Sequence, residues 1–216
     1  MPRAGLSPDV VVAEAVALVD AEGSGALTLA ALAKRFGVAV PSLYKHVGGL
    51  DDVHARLAVV AARDLGSALR RAATGKAGRD ALSSAADAYR DYARAHPGCY
   101  DYLLRARPED AEHAAASQEI LDVLYAMFAG FHIAPGTPAV DAARFVRSTL
   151  HGFVALENAG GFAMDRSVDR SFERLVDGLA TALSDWGNEQ VKPGRRRARG
   201  SQSASKSLSK AHPNPK

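Results

Sequence analysis

Cysteine is almost absent: Cys99 is the only one, so the chain can form no internal disulfide and offers no thiolate cluster to a metal. A buried, inert thiol is its expected state. No run of about 18 apolar residues exists to span a bilayer, and the first apolar stretch carries Asp9, Glu14 and Asp20, which a secretory leader would exclude. A cytoplasmic protein without a membrane partner is expected. Catalytic signatures are missing too: there is no nucleophile motif, no glycine-rich phosphate loop after a strand, and no histidine pair at metal-ligand spacing. Glu109 and His113 fall one helical turn apart, but with Asp110 and Glu112 beside them they read as a charged helix face near an N-terminus. No metal and no cofactor are expected. Strand-type alternation is absent throughout, and the apolar spacing is helical, which predicts an all-α fold of about nine helices.

The overall charge of +3 and pI of 9.1 conceal a division. From Gly187 to Lys216 eight Lys and Arg stand against one Glu, so residues 1–186 are net acidic at −4. The basic balance of the whole chain is therefore no argument for nucleic-acid binding by its folded part. Residues 187–216 are rich in Gly, Ser, Pro, Lys and Arg, too poor in apolar surface to offset ordering, and are expected to be a disordered basic tail. Its Arg195–Arg199 cluster offers salt-dependent phosphate attraction or simply solubility.

Thr28 to Leu50 is the most informative stretch. Thr28 is an N-cap, Leu29, Leu32 and Phe36 share a helical face, and Gly37 supplies a left-handed stop. The chain restarts at Val40-Pro41, where proline suits a first turn, and Leu43 and Val47 pack back. The second helix is too short to stand alone, so Val40, Pro41, Ser42, Tyr44, Lys45 and His46 are presented to a partner, read here as DNA. Ser7-Pro8-Asp9 starts a preceding helix that stops at Glu22-Gly23. The three helices enclose a small centre of Val12, Val16, Val19, Leu27, Leu29, Leu32, Phe36, Leu43 and Val47.

Further helices are expected from Asp51 to about Ala73, from Arg79 to His96 before Pro97-Gly98, and from Pro108-Glu109-Asp110 to near Pro135-Gly136. Thr137 to Asn158 carries two apolar stripes, one of Ala142, Phe145, Thr149, Gly152 and Leu156, the other of Ala143, Val146, Leu150, Phe153 and Val154. Asp165 to Trp186 repeats the signal with Phe172, Leu175, Val176, Leu179, Leu183 and Trp186. Two such helices form half of a four-helix dimer interface, for which Phe145, Thr149, Gly152, Leu156, Phe172, Leu175, Leu179 and Leu183 are the candidates. Three regions follow: a helix-turn-helix unit at 1–50, a helical ligand-binding and dimerisation unit at 51–186, and the tail at 187–216. Tyr100, Leu103, Met127, Phe128, Phe131, His151 and Phe153 are candidates to line an apolar pocket in the second, against the plainer reading of ordinary core.

Thr28 to Val47 resembles the TetR-type transcriptional regulators, whose second and third helices read T-x-x-x-[IL]-A-x-x-[AL]-G-V-s-x-g-x-[LF]-Y-x-H-[FV]. Thr28, Leu32, Ala33, Phe36, Gly37, Val38, Leu43, Tyr44, His46 and Val47 stand at those places. Leu150-His151-Gly152-Phe153, followed by Glu157-Asn158-Ala159-Gly160-Gly161-Phe162, is similar to the subgroup named for a Trp-His-Gly motif, although the tryptophan is missing. Ala39 replaces the family's serine cap and Leu50 its lysine. The resemblance implies a homodimer that binds double-stranded operator DNA and is released by a small-molecule effector. Thr28, Ala39, Val40, Pro41, Ser42, Tyr44, Lys45 and His46 would be its DNA-reading residues, Ser42, Tyr44 and His46 on phosphates and Val40 and Pro41 on thymine methyls. The competing readings are an interaction protein of the same fold that has lost operator binding, and an all-α enzyme.

Overall fold

The computed structural model describes residues 5–104 and 109–191, the last three in backbone only. Among them lie nine α-helices, two 3₁₀ turns and no strand, as the helical spacing predicts. The helices are α1 (Pro8–Glu22), α2 (Leu29–Phe36), α3 (Val40–Leu43), α4 (Leu50–Ala73), α5 (Gly78–Ala95), α6 (Pro97–Tyr100), α7 (Ala111–Ala129), α8 (Thr137–Asn158) and α9 (Val168–Val191). The 3₁₀ turns are Ser24–Ala26 and Asp101–Leu104. No helix among the described residues is long and apolar enough to cross a membrane.

Local chemistry sets the helix ends. The Ser7 hydroxyl accepts the Val10 N–H at 3.2 Å and Thr28 Oγ1 accepts that of Ala31 at 3.0 Å. Asp110 takes the Glu112 and His113 N–H groups, both at 3.0 Å, and so starts α7 just inside the expected place. Three expectations shift. Pro97-Gly98 opens the one-turn helix α6 where a plain stop was expected. α7 gives out at Gly130, well before Pro135-Gly136, because the chain turns through His132 at φ +60°. α9 begins at Val168 and runs past Trp186 to Val191, since Gly187 is buried against the Phe131 carbonyl with no room for a side chain. The start of the expected tail is thus helical, and the rest of it, residues 192–216, lies outside the described residues.

Two apolar cores result. The first gathers Val11, Ala15, Leu18, Val19, Leu27, Leu32, Leu43 and Val47 from α1 to α3 with Val53, Leu57, Ala58 and Ala61 of α4. Val16, Leu29 and Phe36, expected at its centre, pack against it half-buried. The second holds Leu65 and Leu69 of α4 with the buried faces of α5, α7, α8 and α9.

One ion network is built into the second core. The Arg90 side chain, 8% exposed, donates from Nε and Nη2 to both Glu157 oxygens at 2.8 and 2.6 Å and reaches Asp169 at 2.8 Å. Its guanidinium lies 4.6 Å from the Phe172 ring centre, and Arg94 adds a 2.7 Å bond to Glu157. α5, α8 and α9 are pinned at this point. Arg90 stands in register with the buried Leu82 and Ala86 of α5, a charge within an apolar stripe of the sequence.

Arg90→Leu leaves the largely buried Glu157 with only the more exposed Arg94 as a partner, and should cost about 3 kcal/mol in urea denaturation. The Arg90 fork, opposed in part by burial, holds the Glu157 carboxyl below the usual carboxylate range. Its contribution is therefore full above the unfolded pKa, near 4.3, and is lost as pH falls through the lower folded value. Melting temperatures followed downward from about pH 5 should fall more steeply for wild type than for Glu157→Gln.

Candidate functional site

Thr28 at the start of α2 and Ala39, Pro41, Tyr44 and Lys45 around α3 are exposed, while Val40, Ser42 and His46 are half-buried. Leu43, fully buried, and Val47 anchor this surface from beneath. α3 is a single helical turn. Tyr44, Lys45 and His46 follow it in a tight turn, with the His46 and Val47 N–H groups both donating to the Leu43 carbonyl at 2.8 and 3.0 Å. Ala39 makes no side-chain cap. Tyr44 is 58% exposed, an unusual position for a phenol ring with nothing to cover it. Arg35 is engaged elsewhere: it joins Glu14 at 2.8 Å and Glu22 at 3.2 Å, tying α2 to α1. Leu50 occupies the first position of α4 and packs on the first core, which with α1 to α3 makes up the head of the molecule, the second core belonging to its body.

Behind this head, α6 and the following 3₁₀ turn form a second attachment to the body. Gly98 lies directly on the Val19 carbonyl at the end of α1, so closely that any Cβ would meet backbone. Asp20 Oδ1 accepts the Cys99 N–H at 2.9 Å and its Oδ2 meets His96 Nδ1 at 2.8 Å. The Ser24 hydroxyl donates to Asp101 at 3.0 Å, and the buried Tyr102 meets His54 Nδ1 at 2.9 Å. Cys99 is 2% exposed, and burial with the Asp20 charge pushes its thiol up to about 12, so it is inert as expected.

The body encloses a cavity of about 540 Å³. Leu65 and Leu69 of α4, Leu82 of α5 and Ile120, Leu124 and Met127 of α7 form its apolar wall. Leu103 and Leu104 close one side, and Tyr89, His113, Ser117, Tyr125, Arg144 and Arg147 supply the polar groups. Of the expected pocket residues Leu103 and Met127 are in the lining, and five are not. Phe128, Phe131 and Phe153 are core, Phe153 packed on Phe172 with ring centres 5.2 Å apart. Tyr100 is buried beside the cavity, its hydroxyl 2.9 Å from that of Tyr89 and 2.6 Å from His151 Nδ1. Burial and the Arg147 charge depress the His151 pKa, and its ring ends a hydrogen-bonded chain that runs through Tyr100 to Tyr89. His151 thus reaches the cavity only through Tyr89. The wall is assembled from five separate segments, and no single one carries a signal for it.

On the outer face of α8, Leu156 is 53% exposed, Gly152 faces open space, and Thr149 and Phe145 are half-buried, Phe145 against Trp186 at 5.2 Å between ring centres. On α9, Gly178 is equally open and Leu175 half-buried. Phe172, Leu179 and Leu183, expected to meet a partner, point into the chain's own core and are at most 2% exposed. The side chains left for a partner are thus Phe145, Thr149, Leu156 and Leu175, around two open glycines.

Residues 82–179 match the tetracyclin repressor-like C-terminal domain family. The chain is 33% identical over 183 residues to the uncharacterized HTH-type transcriptional regulator YobS of Bacillus subtilis, covering 85% of this chain and 94% of the relative. It is 35% identical over 182 residues to the HTH-type regulator Rv0681 of Mycobacterium tuberculosis, covering 83% of each. The fold superposes with a TM-score of 0.64 on the TetR family protein ActR of Streptomyces coelicolor in complex with actinorhodin, at 16% identity, over 85% of this chain and 99% of that one.

The head-to-body attachment leaves Gly98 no room for a side chain. Gly98→Ala should force α6 off α1 and cost roughly 2–3 kcal/mol, measured by thermal or urea unfolding, whereas Gly25→Ala, which meets open space, should change stability little.

Proposed function

The chain belongs to the TetR-type family of transcriptional regulators and is not an enzyme, and from that premise we propose that it is a repressor that binds operator DNA as a homodimer and is released by a small apolar or aromatic effector. The observation that carries this reading is the placement of α4. Its second half walls the cavity through Ala62, Leu65 and Leu69, and its first half is buried in the head core through Val53 and Leu57. A molecule filling the cavity would push on a rod whose other end carries the DNA-reading surface. ActR, which shares this fold, holds actinorhodin in its structure.

We read residues 1–50 as the DNA-binding unit and 51–186 as the effector and dimer unit, in a protein of the cytoplasm. Ser42, Tyr44 and His46 would bond phosphates with Lys45 adding charge, and Thr28 would present its hydroxyl at the N-terminus of α2, where an anion is favoured. Val40 and Pro41 would meet base edges, where apolar groups can contact thymine methyls. The partner helices would pack on α8 and α9 around Gly152 and Gly178, whose missing side chains let backbones approach.

A gel shift with the DNA upstream of the protein's own gene tests the reading, and the expected result is a specific band at moderate salt. Absence of any such band would overturn it and favour an interaction protein of the same fold, to which the diversion of Arg35 into ion pairs also points. Tyr44→Phe should remove one phosphate bond per half-site. At roughly 1 kcal/mol each this weakens binding about thirtyfold over the dimer, for all sequences alike. Leu156→Arg should yield monomers in sedimentation and abolish the band without unfolding the chain.

A further inference from the structure

The charge around the cavity goes beyond an apolar effector and names its chemical class. Among the described residues the lining holds two arginines, Arg144 and Arg147, and one histidine, His113, but neither Asp nor Glu. The acids at and along α7, which forms much of the wall, are each engaged elsewhere. Asp110 caps the helix, Glu112 joins Arg63 at 3.1 Å, Glu119 joins Arg70 at 2.7 Å, and Asp122 accepts from Gln118 at 2.8 Å. Both arginines lie on α8 three residues apart and both are exposed, so they sit at the rim while Leu65, Leu82 and Leu124 form the interior. Arg147 Nη2 donates to the Leu103 carbonyl at 2.8 Å, a bond that orients the guanidinium and uses one of its five N–H donors.

Resting on the effector reading above, we infer that this cavity is built for an amphipathic anion: an apolar or aromatic body in the interior and a single carboxylate or comparable anionic head at the rim, held by Arg147 and Arg144. A guanidinium fork matches such a head in geometry as well as charge. Low-dielectric walls concentrate the field of the two arginines at the mouth, which disfavours cations and leaves neutral analogues without their strongest contact. The same head also links the cavity to the head-to-body attachment. Arg147 holds the carbonyl of Leu103, next to Tyr102, and a carboxylate competing for that guanidinium would loosen the turn that carries Tyr102 into the head core.

Two dyes that differ only by a sulfonate test this on the full chain: 1-anilinonaphthalene-8-sulfonate and its neutral parent N-phenyl-1-naphthylamine. Fluorescence titration of wild type should give a sulfonate affinity about tenfold or more above the neutral one. That ratio should collapse in the Arg144→Gln, Arg147→Gln double variant and return in part in the Arg144→Lys, Arg147→Lys variant, which keeps the charge without the fork. Decanoate should displace either dye at concentrations where 1-decanol does not. Equal affinities for the two dyes in wild type, a ratio that survives the double Gln variant, or displacement by decanol as good as by decanoate would each overturn the anionic class while leaving an effector cavity in place. Binding of neither dye would remove the cavity reading along with it.

Discussion

The 24 residues of α4 belong to two hydrophobic cores at once, and the rest of the molecule is arranged around that constraint. Val53, Leu57, Ala58 and Ala61 are committed to the head, Leu65 and Leu69 to the body, and the helix between them spans roughly 36 Å from end to end. It contains no proline, and its one glycine, Gly66, is packed on Ile120 of α7. That contact holds the Gly66-Ser67 pair, the kind of step at which helices kink. A displacement of the body end must therefore appear at the head end as translation or tilt, because an α-helix stores little strain along its axis.

One helix alone would still let the head swivel about it. The second attachment, from the end of α1 to α6 and the 3₁₀ turn after it, removes that freedom. It is made of Gly98 against Val19, of Asp20 bridging His96 and the Cys99 N–H, and of Asp101 and Tyr102 reaching Ser24 and His54. Each bond is worth only about 1 kcal/mol net, so orientation is fixed by their number and by the close backbone approach rather than by any one of them. A joint of several weak bonds can be exchanged for another arrangement at modest cost, which a large apolar interface cannot. The body is held differently. There the Arg90 fork on Glu157, backed by Phe172, fixes three helices through one desolvated group, and the apolar stripes around it admit a single register.

What the sequence disclosed and what it withheld divide along the same line. Caps, glycine stops and helical spacing are local, and they gave the all-α class, the start of α1 and α2, the stop at Gly37 and the span of α8. The head's identity was equally legible, since Gly37, Tyr44, His46 and their spacing lie within twenty residues of one another. Features that depend on which segments meet were not. Phe128, Phe131 and Phe153 are large and apolar, and composition alone cannot distinguish a residue lining a cavity from one filling a core. Arg144, Arg147 and His113 read as surface polar residues until α7 and α8 close around the same space. Phe172, Leu179 and Leu183 share a helix face with Val176, and only the packing of α9 on α5 and α8 shows that this face looks inward. Arg90 is the exception, because a charge four residues from Ala86 and eight from Leu82 was readable as buried.

The electrostatics of the head bear on how the proposed regulation would work. Non-specific affinity for DNA grows with the number of phosphates that cations neutralise. Here Arg35 is consumed by Glu14 and Glu22, and Leu50 packs where a charge would have faced the backbone. In the helix-turn-helix stretch only Lys34 and Lys45 remain as cations, so a single head would hold DNA weakly and with a shallow salt dependence. In the proposed dimer most of the binding energy would then come from two heads engaging together, through hydrogen bonds that require correct placement rather than charge that acts at a distance. A protein of that kind needs only a small change in the spacing of its heads to lose its site, because little residual attraction would keep a misaligned dimer on the DNA. The two attachments between head and body, one rigid and one exchangeable, are suited to make a change of that size.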